Sequence, residues 1–240
     1  MKRIIIKISC EAFQSDTYSI DEKSINNIAT DIKLLRKKGI EVVIITGGGN
    51  IWRGRNCPYM NDVIKDEIGM LATMMNSLAL SDSLTKLNVN VMVRSTLEVK
   101  GMIKRYNPTE DEKLLKDNVL IIAGGIGLPF HSTDTALIQR ALELKCDTVL
   151  MGKNIDGVYD KDPRLGNAKR YNQITHQELF DNHIKAGATT QGIMDMTAEI
   201  MLLEHPIDVI VYKATEKKAL SRLLSNNLNY TLITNKKSSI

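Results

Sequence analysis

Aromatic side chains are scarce, at 5% of the chain with a single tryptophan, so no set of flat rings is at hand for stacking the bases of a single strand. Basic residues exceed acidic ones by only 32 to 28, a formal charge of +4. Much of that excess sits in the local clusters Lys2-Arg3, Arg36-Lys37-Lys38 and Lys236-Lys237, which is too little for the footprint of a nucleic-acid binder. Cysteine is limited to Cys10, Cys57 and Cys146, an odd number with no C-x-x-C pair and no histidines at zinc-finger spacing. These read as reduced thiols of a cytoplasmic protein with no resident metal site. Long apolar runs are missing too. The start Met1-Lys2-Arg3-Ile4-Ile5-Ile6 imitates a signal peptide until Lys7 interrupts it, and the uncharged stretch from Asn118 to Thr133 is broken by Gly124, Gly125 and Pro129. Neither export nor membrane insertion is expected.

What is present is an ordinary globular composition. Hydrophobic residues at 43% and charged residues at 25% exclude a largely disordered chain, and 240 residues suffice for one large α/β domain or two small lobes. No break in composition marks a linker. Short β-branched runs, Ile4 to Ser9, Val42 to Thr46, Val89 to Val93, Val119 to Ala123, Thr148 to Met151 and Val209 to Tyr212, alternate with helical patterns. Nearly continuous apolar strands of this kind predict a mostly parallel sheet covered on both faces.

The helical patterns are legible in the same way. Ile25, Ile28, Ala29, Ile32 and Leu35 recur at helical spacing with Gly39 as a stop. Met70, Leu71, Met74, Met75, Leu78 and Leu84 form a methionine-rich helix suited to core or subunit contact. Thr175 and Glu178 stand at capping-box spacing, and a further helix is expected from Thr133 to Leu144. Gly187 to Gly192 reads as a loop.

Several residues gather where the strands end. Thr46-Gly47-Gly48-Gly49-Asn50 follows a strand directly, so its N–H groups can face an anion, although a plain tight turn is about as consistent with the triplet alone. Arg53 adds a guanidinium that can grip phosphate in a fork. Lys7 lies near the carboxyl end of the first strand, where an ammonium needs an anion unless the strand is an edge facing solvent. A second turn, Gly124-Gly125-Ile126-Gly127-Leu128-Pro129, leads through His131 and Ser132 to Thr133, which can cap a helix, donate to a phosphate, or both. Ligands of open α/β sheets collect at these strand ends. Asp156-Gly157-Val158-Tyr159-Asp160-Lys161-Asp162-Pro163 is either an acidic surface turn or a site where Tyr159 stacks a base and Asp162 meets ribose or a magnesium-bound phosphate. Asp195 is either an N-cap or a charge-organising aspartate.

Taken together, Lys7-Ile8-Ser9-Cys10-Glu11-Ala12, Gly47 to Gly54 and Asp66 with Gly69-Met70-Leu71-Ala72-Thr73 resemble the bacterial uridylate kinases of the amino acid kinase family. The turn from Gly125 to Asp134, Asp156-Gly157-Val158-Tyr159 with Asp162-Pro163, and Met194-Asp195 follow in the same order, so the resemblance spans almost the whole chain. It implies a three-layer αβα sandwich in one domain over residues 1–240, with acceptor binding in roughly 1–145 and ATP binding in roughly 146–240. It also implies transfer of the γ-phosphoryl group of Mg-ATP to UMP within a homohexamer, with GTP and UTP as possible effectors.

By this resemblance Lys7, Arg53 and Asp195 are the catalytic residues. Lys7, Ile8, Ser9, Cys10, Gly49, Arg53, Lys153, Asn154, Tyr159 and Asp162 attend ATP. Gly48, Asp66, Ile126, Gly127, Leu128, Pro129, Phe130, His131, Ser132 and Thr133 hold UMP.

The sequence departs from that pattern at several points. Cys10 stands where a glycine usually follows the serine. Ile126 and Leu128 replace a common threonine and asparagine, leaving the backbone to read uracil. Lys153 corresponds to a phosphate-binding lysine only after a one-residue shift, and the loop from Gly187 to Gly192 is longer than in many relatives. Three other readings compete: a kinase of the same scaffold acting on a carboxylate, carbamate or isopentenyl phosphate, a nucleotide-binding regulator without turnover, and a dinucleotide-dependent dehydrogenase. The last lacks the G-x-G-x-x-G spacing.

Overall fold

The computed structural model describes residues 2–186 and 192–236; of the expected loop from Gly187 to Gly192, all but Gly192 lies outside them. In chain order the strands are β1 (Arg3–Ile8), β2 (Glu41–Thr46), β3 (Val91–Ser95), β4 (Lys104–Arg105), β5 (Val119–Ala123), β6 (Thr148–Lys153), β7 (Gln173–Ile174), β8 (Asp208–Lys213) and β9 (Tyr230–Ile233). The α-helices are α1 (Glu22–Lys37), α2 (Asp62–Lys86), α3 (Pro108–Asp111), α4 (Thr133–Glu143), α5 (His176–Ala186), α6 (Met196–Glu204) and α7 (Ala219–Leu224).

Among the described residues the strands form one sheet in the order β4-β3-β5-β2-β1-β6-β8-β9-β7. Every pairing is parallel except that of β8 with β9. Alternate side chains of each strand leave opposite faces. Ile5, Val43, Ile45, Leu120 and Ile122 pack with Leu137, Ile138 and Ala141 of α4, Leu179 of α5 and Leu202 of α6. On the other face Ile4, Ile6, Val42 and Ile44 meet Ile25, Ile32 and Leu35 of α1, Leu80 and Leu84 of α2, and Leu223 of α7. The result is the expected three-layer α/β sandwich, buried on both faces as a parallel sheet requires.

Several expectations shift in detail. β3 runs two residues later than Val89 to Val93, and Ser9 falls just past the end of β1. β1 lies between β2 and β6, so Lys7 is on an interior strand and not on an edge. The short strands β4, β7 and β9 carried too little pattern to be predicted. Thr133 does not cap α4: Ser132 does, its Oγ accepting from the N–H groups of Asp134 at 2.9 Å and Thr135 at 3.3 Å. The expected capping box at α5 is formed reciprocally, with Thr175 Oγ1 accepting from Glu178 N at 3.1 Å and Glu178 Oε2 from Thr175 N at 2.9 Å.

Candidate active site

Strand register explains how two lysines come to share one partner. Lys7 of β1 is paired with Met151 of β6, and Lys153 lies two residues beyond Met151 on the same face. Ile5 and Met151 belong to the face covered by α4, so both ammonium groups are directed toward the start of that helix. There they meet Asp134, in the first turn of α4. Lys7 Nζ contacts Asp134 Oδ1, and Lys153 Nζ lies 2.8 Å from Oδ2. Asp134 is buried, and burial alone would raise its pKa, but the charges of Lys7 and Lys153 outweigh it and hold the carboxyl below the usual range. Burial and the like charge of Lys7 in turn lower the Lys153 ammonium, against the pull of Asp134.

Asp195 sits beside this cluster at two helix N-termini. It is the N-cap of α6, accepting from Ala198 N at 2.9 Å, and it also accepts from Thr135 N at 3.1 Å and Thr135 Oγ1 at 2.8 Å on α4 and from the hydroxyl of Ser132, the N-cap of α4. Burial pushes its pKa upward, but the bonds from Ser132, Ala198 and Thr135 together keep it depressed. The N-cap alternative for Asp195 therefore holds, and the cap of one helix is also tied to the start of another. Asp134 and Asp195 are thus both held toward the ionised form.

The two glycine turns are held to α2. Asn76 donates to Gly47 O at 2.7 Å, while Thr73 Oγ1 accepts from Gly124 N at 2.8 Å. A Cβ on Gly48 would come within 2.9 Å of both Ala72 Cβ and Gly69 O, so the first turn can lie against the helix only with glycine there. Asp66, also on α2, accepts from Phe130 N at 2.7 Å and ties the second turn to the same helix. Ile126, Gly127, Pro129 and Thr133 are half-buried in that segment, whereas Leu128, Phe130, His131 and Ser132 are exposed.

Near the first turn Arg53 donates to Glu11 at 2.9 Å and lies 3.8 Å from Cys10 Sγ. Gly49 packs between them, since a Cβ there would be 2.9 Å from that sulfur. Burial and the neighbouring Glu11 raise the Cys10 pKa, so the thiol stays protonated. Among the described residues Ser9 Oγ is buried without a hydrogen-bond partner, an arrangement that invites a ligand atom. Lys7, Lys153 and Arg53 are thus each held by an internal carboxylate, next to the Ser9 hydroxyl and two loops at the carboxyl ends of parallel strands. Such a surface can take a polyanion by exchange of partners.

The third predicted segment stands apart. Tyr159 donates to Asp156 Oδ1 at 2.6 Å, and Asp156 is within 3.4 Å of Asn229. Asp162 caps the short turn at Pro163–Leu165 and pairs with Arg164 at 2.7 Å. Asn154 is exposed. Among the described residues this arm makes its hydrogen bonds within itself and to the region of β9, with none to the lysine cluster. Asp134, Thr135, Asn76 and Glu11 organise the region without being among the site residues expected from sequence. Only Asp134 left a signal, as an acid in the first turn of a helix that follows a glycine-rich loop. Among the described residues no group of three or more His, Cys, Asp or Glu could hold a metal ion. No described helix is long and apolar enough to cross a membrane.

Comparison with known proteins agrees with this arrangement. The profile of the amino acid kinase family matches residues 2–213. The chain is 36% identical over 237 residues to a uridylate kinase of Actinobacillus pleuropneumoniae, with 97% of each chain covered. It is 38% identical over 237 residues to a uridylate kinase of Bartonella bacilliformis, covering 97% of this chain and 96% of that one. The crystal structure of UMP kinase from Ureaplasma parvum superimposes with a TM-score of 0.89 at 34% identity, covering 98% of this chain and 99% of that chain. With the profile, the relatives and the fold in agreement over nearly its full length, this chain belongs to the amino acid kinase family.

Proposed function

We propose that this protein is a UMP kinase, which transfers the γ-phosphoryl group of ATP to UMP and releases UDP and ADP in pyrimidine nucleotide synthesis. The observation that carries the reading is the convergence of Lys7 and Lys153, from adjacent parallel strands, on Asp134 at the start of α4. The acceptor phosphate is already anionic and needs no general base. The difficulty is to bring two anions into line, a task for cations, helix N-termini and a magnesium ion.

In this reading Lys7, Lys153 and Arg53 leave their internal carboxylates to meet the ATP phosphates, joined by Ser9 Oγ and the backbone from Ile8 to Cys10 and at Gly49. Gly48, Asp66 and the segment from Ile126 to Thr133 hold UMP. Asn154, Tyr159 and Asp162 lie on the ATP side, which assigns roughly 1–145 to the acceptor and 146–240 to ATP within one domain. Asp195 organises charge between the two. Magnesium would arrive as part of Mg-ATP and would offset the charge that gathers on the phosphates.

The same reading makes the protein a cytoplasmic homohexamer open to GTP and UTP as effectors. An apolar stripe on α2 supports association: Ile64, Ile68, Leu71, Met75 and Leu78 recur at heptad spacing, and all but Ile68 are exposed.

The test is an ADP-release assay with ATP as donor and UMP, CMP, glutamate and aspartate as separate acceptors. UMP is expected to be preferred by a wide margin, and preference for an amino acid would overturn the assignment. Lys7→Ala is expected to abolish turnover while the circular dichroism spectrum is unchanged; near-normal activity would remove Lys7 from the site.

A further inference from the structure

Beside Asp195 the chain packs an ionisable pair that the proposed reaction does not use. Glu199, in α6, is 2% exposed, and its Oε2 lies 2.9 Å from Nδ1 of His183 on α5. Its other oxygen, Oε1, is buried without a partner among the described residues. Burial, against the pull of His183, raises the Glu199 carboxyl above its ordinary range, and Asp195 adds to the rise. A carboxylate kept at such a cost is weak evidence for stability, and its better-attested use is to specify geometry.

The histidine ring has a second neighbour. A Cβ on Gly192 would lie 2.6 Å from both Nδ1 and Cε1 of His183, so the backbone at Gly192 is packed directly against the imidazole edge. The ring is wedged between the chain entering α6 and a side chain of α6 itself. Asp195 follows three residues after Gly192, and its carbonyl oxygen accepts from Glu199 N at 3.1 Å.

We infer that His183 and Glu199 are a positioning pair for phosphoryl transfer, fixing the path from Gly192 to Asp195 so that the Asp195 carboxylate reaches the start of α4. The donors on α4 and α6 fix where that carboxylate ends; the wedged ring fixes the direction from which its backbone arrives. Loss of the ring lets the entry to α6 slide, and the contacts to Ser132 and Thr135 lengthen together. The inference rests on the reading that Asp195 organises the reacting centre.

Steady-state kinetics with UMP and ATP on four folded variants test it. His183→Ala is expected to lower kcat by about ten- to a hundredfold, the scale of a small misplacement of reacting groups. The KM for each nucleotide should stay within about threefold, since the groups that bind the substrates remain. His183→Asn places an amide near the lost Nδ1, able to donate to Glu199 or accept from it, and should recover most of the rate. Gly192→Ala, whose methyl displaces the ring, should reproduce the loss, and it decides the matter if His183→Ala fails to fold.

A kcat for Gly192→Ala and His183→Ala within about twofold of wild type overturns the positioning pair. So does a His183→Asn enzyme no better than His183→Ala. Asp195→Asn, measured alongside, separates the two claims. If it is inactive while His183→Ala is active, only the positioning pair fails; if it turns over normally, the reading of Asp195 itself fails.

Discussion

An ammonium in an apolar strand requires an anion, and that much about Lys7 is readable from the run Ile4 to Ile8. The identity of the anion is not, because Asp134 is distant in sequence and comes near only when α4 packs on β1. Asp134, itself buried, holds two half-buried lysines, so removing its charge takes the carboxylate counter-ion from both. Asp134→Asn is therefore expected to abolish turnover and to destabilise the fold by about 3 to 5 kcal/mol, as breaking a buried ion pair does. The pH dependence has a definite sign. Because the pKa of Asp134 is lowered on folding, its contribution is present above the ordinary aspartate value of about 3.9 and lost as pH falls through the depressed native value. Chemical denaturation of wild type and variant should differ most near neutral pH, with the gap closing in acid. A gap independent of pH would contradict the assigned ionisation.

At the scale of elements, what the sequence reveals depends on whether the signal is local. The capping box of α5 is contained in four residues and was predicted with its partners, and the glycine turns were found because each directly follows a strong apolar strand. Of the two roles open to Thr133, the cap of α4 falls to its neighbour, since Ser132 and Thr133 offer adjacent hydroxyls of similar chemistry and only the backbone angles of the loop decide between them. The difference is measurable. Ser132→Ala should lower stability by about 1 kcal/mol, and it should also slow turnover, because the same hydroxyl contacts Asp195. Thr133→Ala should leave thermal stability near wild type. Equal losses in the two variants, measured by thermal melts, would return the cap to Thr133.

At the scale of the whole molecule the parallel sandwich was legible because strands buried on both faces are apolar throughout. The reversed strand β9 and the two-residue strands β4 and β7 escaped because they are too short to show a period. The methionine-rich helix was the case that sequence left undecided between core and interface, and the structure divides it. Met70, Met74, Leu80 and Leu84 are buried, while Leu71 and Met75 are 54% and 51% exposed. A strip with alternating spacings of four and three residues, outside a core that is already complete, suits a matching helix of a second copy. Two glutamates introduced there, as Leu71→Glu with Met75→Glu, should break that contact and leave the fold unchanged, since neither side chain is in the core. Light scattering coupled to size-exclusion chromatography should find wild type at a multiple of the chain mass, six if the hexamer holds, and the double variant at a smaller one. A wild-type monomer would show that the strip has another occupant. A double variant that keeps the wild-type mass would place the subunit contact on a different surface.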